Sequence, residues 1–172
     1  MTLTDAHYVA LGRVAVEFAR LEDLVSNYAA VIVSVRDGKA ADYSRFDKMP
    51  FEKKLDILRR AYNAIGLAGQ DAPRFDAAID AVRLVGYDRN ALFHATWVQV
   101  PADPSHEARV VRFIKGRNDD TGKVFIKPTT PADIDAVRER IASAVQLVVP
   151  WFDVAFAKLH QLTPDGPWTL RD

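Results

Sequence analysis

Arg89, Asn90 and His94 form the pattern Arg-Asn-x-x-x-His within the stretch GYDRNALFHATW, residues 86 to 97. Imidazole titrates near neutrality, so a histidine can take or give a proton in a transition state, a contribution of about a hundred- to ten-thousand-fold. A guanidinium stays charged and can grip two phosphoryl oxygens as negative charge gathers on them. Together these groups suit cleavage of a phosphodiester by the neighbouring ribose 2′-hydroxyl. That scheme calls for neither metal nor cofactor. Asn90 could hold either the imidazole or the substrate.

Geometry sets the condition. On a straight helix five residues turn through about 500°, which leaves Arg89 and His94 about 140° apart. Gly86 interrupts an apolar pattern and Asp88 stands where an N-cap would, so the spacing predicts either a kinked long helix or a break with a fresh start at Arg89. A fresh start would free the arginine to curl towards His94. It would also expose backbone N–H groups that favour a phosphate.

Four helical segments must carry this stretch. From Thr4 to about Val35, Leu11, Val14, Phe18, Leu21, Val25, Tyr28, Ile32 and Val35 alternate by three and four, a helical stripe. A polar connection follows, then a helix from Phe51 to Ile65 stopped by Gly66. The third segment shows Phe75, Ile79, Val82 and Val85 on one side. The last runs from Pro131 through Leu159, opened by Thr130-Pro131-Ala132-Asp133 and kinked at Pro150. Between the third and last segments, residues 109–115 and 123–127 flank the turn-forming Asn118 to Gly122, which predicts a β-hairpin. The expected fold is all-α, an up-and-down four-helix bundle with a hairpin inserted before the last helix. It spans residues 1–162 as one domain, with 163–172 as a tail.

The chain has 172 residues, enough for one ordinary core, and no cysteine, which removes disulfides, thiol nucleophiles and Cys-ligated metal sites. Twenty-three Lys+Arg balance 23 Asp+Glu, so no overall field holds the chain on a polyanion. The first residues lack the pattern of a secretory signal, and no apolar stretch approaches the roughly 20 residues of a membrane span. A cytoplasmic protein with no membrane partner is expected.

At Arg89, Asn90 and His94 the sequence resembles the HEPN superfamily (higher eukaryotes and prokaryotes nucleotide-binding). Its hallmark is an Arg followed by four to six residues and a His, often with a polar residue directly after the Arg. Here four residues intervene, and none of the other histidines has an arginine at such a spacing. The resemblance implies an all-α bundle over residues 4 to 160, a homodimer whose two motifs face a shared cleft, and metal-independent endoribonuclease activity on RNA. Some members are toxins paired with a nucleotidyltransferase-like antitoxin. Others bind nucleotides or RNA without cutting, so the alternative is a non-catalytic RNA-binding or protein-interaction module. In that alternative Asp88 caps the helix, Arg89 pairs with an acid and His94 packs against Trp97.

Other candidates read more plainly. His7, His106 and His160 are scattered and read as surface residues. Lys53-Lys54 and Arg59-Arg60 make the second helix locally basic, as Arg109, Arg112, Lys115, Arg117, Lys123 and Lys127 do the hairpin, and both read as solvated faces. Glu17 and Glu22 are candidate partners for Arg89. Phe93, Trp97 and Trp151 read as core. The long stripe of the first helix exceeds what a small core obviously covers and invites a dimer, although packing on the last helix explains it equally.

Overall fold

The computed structural model describes residues 3–37, 41–66, 69–98, 109–114 and 123–162. The protein is predominantly helical. Helix α1 spans Asp5–Asp37, α2 Ser44–Asp47, α3 Phe51–Ala64, α4 Ala72–Phe93 and α5 Pro131–Leu162. The stripe of α1 buries Val14, Phe18, Leu21, Val25 and Ile32 within the chain, and Leu11 and Tyr28 pack half-buried against the same core. Helix α3 ends where expected because Gly66 takes a φ of 67°, a left-handed conformation that costs glycine little.

Contacts between helices set their directions. Along α1 and α5 residue numbers rise together: His7 meets Thr129, Arg13 meets Asp135 and Tyr28 stacks on Phe152. They also rise together along α1 and α3, where Phe18 meets Phe51 and Ser26 meets Lys54. Numbers fall across α3 and α4, where Arg83 meets Asp56 and Arg59 meets Asp76, and across α4 and α5, where Asp88 meets Arg140 and Phe75 meets Trp151. A strict up-and-down order would reverse α3 against α1. The contacts instead run them the same way, because the connection 38–50, which carries α2, is long enough to return the chain to the level of Phe18. The short connection between α3 and α4 enforces the expected reversal.

Between α4 and α5 lie three short strands, β1 (Thr96–Val98), β2 (Arg109–Ile114) and β3 (Lys123–Pro128), paired antiparallel in the order β1-β2-β3. The expected turn at 118–122, His106, Lys115, Arg117 and the tail 163–172 lie outside the described residues. Helix α5 continues through Pro150. Its segment Pro131–Ala157 is long and apolar enough, by length and composition, to cross a bilayer, where the sequence alone suggests no such stretch. Ile134, Val137, Ile141, Ala144, Val148, Phe152 and Ala155 of this helix are buried, whereas Leu147 and Val154 are exposed.

Candidate functional site

Helix α4 does not break before Arg89. It is continuous from Ala72 to Phe93, and Gly86 and Asp88 lie in its interior. Gly86 is there for space: a Cβ at this position would sit 3.1 Å from two ring carbons of Phe51. Asp88 caps nothing and instead accepts a hydrogen bond from Arg140 Nε at 2.9 Å, tying α4 to α5. The helix ends at His94, the C-cap, whose N–H donates to the Asn90 carbonyl at 2.9 Å. The motif therefore sits at the carbonyl end of a helix rather than at its N–H end. That end carries the negative pole of the helix dipole, which favours a cation such as Arg89 and opposes an anion. A phosphate held here would depend on the arginine.

Arg89 is held by rings. Its guanidinium carbon lies 5.2 Å from the centroid of Phe18 and 4.9 Å from that of Phe93, both within cation–π range. Its Nη1 donates to Asn90 Oδ1 at 2.9 Å, and its Nε is buried with no hydrogen-bond partner. Nε atoms of Arg59, Arg83 and Arg138 are likewise buried without a hydrogen bond, yet each has a carboxylate within ion-pair distance. Among the described residues Arg89 has none. Glu17 pairs with Arg20 and Glu22 with Lys54, so neither serves Arg89.

Asn90 thus has a role that the sequence leaves open, since it binds the arginine. On α4, Asn90 and His94 are four residues apart and fall on one side, with Tyr87 a further turn back. Arg89 remains offset from His94 by about 140° in this unbroken helix, and the Asn90 bond draws its tip towards that side. Asn90, His94 and Tyr87 are all exposed. Phe18, from α1, joins the site only in three dimensions, whereas Phe93 lies four residues after Arg89 on the same helix. Phe93, expected in the core, is 38% exposed.

His94 does not pack on Trp97. The histidine that meets Trp97 is His7, edge to face at 6.4 Å, and His7 is buried rather than on the surface. Its ring shares a hydrogen bond with the Thr4 hydroxyl at 2.7 Å and donates from Nε2 to the Thr129 carbonyl at 3.2 Å, which fastens the start of α1 to the approach of α5. Trp97 and Trp151 are partly buried and pack against the core.

Two of the four basic residues of α3, Lys54 and Arg59, are paired with acids. Lys54 is buried, with Nζ donating to Glu22 Oε1 and Ser26 Oγ, each at 2.9 Å. Arg59 pairs with Asp76 and Asp80 of α4. An open cavity of about 430 Å³ on the outer face of α1 is lined by Val9, Val16, Arg13, Glu17, Arg20 and Arg138, among other residues. Its three arginines all have acid partners: Asp135 for Arg13, Glu17 for Arg20, and Asp135 and Glu139 for Arg138. Among the described residues no group of three His, Asp or Glu is placed to hold a metal ion. Comparison with models of protein families, with curated proteins and with solved structures finds no match for this chain.

Proposed function

We propose that this protein is a HEPN-type, metal-independent endoribonuclease, a helical bundle with a β-hairpin inserted before α5. In this reading His94 is the general acid/base and Arg89 stabilises the transition state, while Asn90 orients Arg89. The ribose 2′-oxygen attacks the adjacent phosphorus, its proton leaves to a base, and the 5′-oxygen departs with a proton from an acid. The product strand ends in a 2′,3′-cyclic phosphate. The observation that carries the reading is a fixed guanidinium with no carboxylate partner among the described residues, five residues before an exposed imidazole at the end of the same helix. Electrostatic stabilisation needs such an oriented cation whose charge is not already spent on an acid. The offset between Arg89 and His94 within one chain favours a homodimer in which two motifs share a cleft.

RNA cleavage that survives EDTA, leaves cyclic phosphate ends and disappears in folded Arg89→Ala and His94→Ala proteins is the expected result. Undiminished cleavage by His94→Ala would overturn the assignment. One observation favours the second reading, a non-catalytic RNA-binding or interaction module: the motif lies at the carbonyl end of α4, the pole that opposes a phosphate. That module would cleave no RNA in any condition, and His94→Ala would leave RNA affinity unchanged.

A further inference from the structure

The two rings that hold Arg89 are not equivalent. Phe18 is buried at 4% exposure, and Phe51 lies against it edge to face at 4.9 Å. Phe93 is the last residue of α4, directly before His94, and is 38% exposed. Orienting the guanidinium needs a ring but not an exposed one. An open aromatic surface beside an unpaired cation matches the parts by which proteins hold unpaired nucleotides, a stacking face for the base and a charge for its phosphate.

We propose that Phe93 is a stacking platform for one unpaired base of an RNA strand, the base adjoining the phosphate that Arg89 meets. The inference rests on the ribonuclease reading for its substrate, and it narrows the class to single-stranded RNA, because in a duplex neighbouring bases cover both faces of each base. Stacking tolerates any base, so the selectivity is for strandedness rather than for sequence.

The test uses the full chain and a single-stranded 2′-O-methyl oligoadenylate dodecamer, which lacks the attacking hydroxyl and cannot be cleaved. Its abasic counterpart keeps the phosphates and loses the bases. Phe93→Leu keeps apolar volume beside Arg89 and removes the ring, and Phe93→Trp restores a ring. Wild type should bind the oligoadenylate about tenfold tighter than the abasic strand. Phe93→Leu should lose most of that difference, and Phe93→Trp should regain it. With cleavable RNA, Phe93→Leu should raise KM, and Phe93→Trp should bring it back towards wild type. Annealing the oligoadenylate to its complement should abolish the preference.

Equal affinity of wild type for the two strands, or an unchanged preference in Phe93→Leu, overturns the platform. Cleavage with an unchanged KM in Phe93→Leu also overturns it and leaves the ribonuclease reading standing. Ring-dependent binding by a protein that cleaves no RNA supports the platform and overturns the ribonuclease reading.

Discussion

Arg83 and Arg89 lie six residues apart on the same helix and are satisfied in opposite ways. Arg83 reaches α3, where Asp56 accepts from it at 2.7 Å and Glu52 lies at 3.3 Å, with Asp80 at 4.0 Å on its own helix. The hydrogen bond to Asp56 and the surrounding negative charge raise its pKa above the ordinary arginine value. Arg89 has two aromatic rings and an amide instead. Rings orient a cation without cancelling its charge, whereas carboxylates do both. Arg83 is therefore a fastener between α3 and α4, whereas the charge of Arg89 is not cancelled by any acid among the described residues.

Substitution at the two positions is the strongest way to break this contrast. On the proposed ribonuclease reading, Arg89→Ala should lower RNA cleavage by about a hundred- to a thousand-fold, the scale of losing one oriented transition-state donor. Arg83→Ala should leave cleavage near wild type and cost about 1 kcal/mol in denaturant unfolding, as expected of a partly exposed ion-pair network. Equal losses of activity would erase the distinction.

Lys54 extends the comparison to a cation sealed in the core. Lys54→Ala removes a buried stem and the donor shared by Glu22 and Ser26, whose hydroxyl keeps its bond to the Glu22 carbonyl, and should cost about 2–4 kcal/mol. Glu22 retains access to water, which keeps the loss at the lower end of that range. Lys54→Met fills the same volume and should be the milder change by thermal or denaturant unfolding.

Gly86 offers a way to disturb Arg89 from a distance. Phe51 lies over Gly86 and touches Phe18, which in turn touches Arg89. Gly86→Val should destabilise by about 1–3 kcal/mol through overpacking. Gly86→Ala should stay within about 1 kcal/mol, since the gain in helix propensity offsets the pressure on Phe51. A fall in kcat for folded Gly86→Ala with KM unchanged would show that the ring stack positions the arginine.

Asn90→Asp sharpens the contrast by giving Arg89 the kind of partner Arg83 has. The carboxylate would occupy the position of the Asn90 amide, and cleavage should fall about tenfold at unchanged stability, because an acid paired with the arginine competes with phosphate. Retained activity would argue that the free charge of Arg89 is not what matters.

The smallest effect is read from pH. Burial pushes the Tyr62 hydroxyl from an ordinary value of 10.0 up to about 12. The folded protein therefore holds this proton more tightly than the unfolded chain. Its contribution to stability is complete below about pH 10 and is lost as pH rises towards 12. Tyr62 also donates to the Trp151 carbonyl at 3.1 Å. Tyr62→Phe should cost about 1 kcal/mol at neutral pH and remove this component of the alkaline loss in a pH series of unfolding curves.

Legibility in the sequence followed the range of the interactions. The stripes of α1, α3 and α5 are visible because burial at three- and four-residue spacing is local, and the stop at Gly66 is a property of one residue. Gly86 and Asp88 mislead for the opposite reason. Alone they look like a helix break, while Phe51 and Arg140, distant in sequence, turn one into a packing site and the other into an ion-pair partner. His7 and Lys54 look like surface residues until Thr129 and Glu22 are brought to them. The direction of α3 depends on the connection 38–50, where pattern reading has least to use.

By itself the sequence determined a mostly helical chain, the faces its helices bury, and the pairing of an arginine with a histidine five residues on. Those properties live in side-chain type and local periodicity. The tertiary structure decided that the pair straddles the end of a continuous helix, that Arg89 rests on Phe18 and Phe93 with no acid partner among the described residues, and that Asn90 hydrogen-bonds the arginine. Phe93 and Asn90 are neighbours of Arg89 on one helix, but Phe18 and the carboxylates that cancel other charges come from other helices, and spacing along one helix does not encode them.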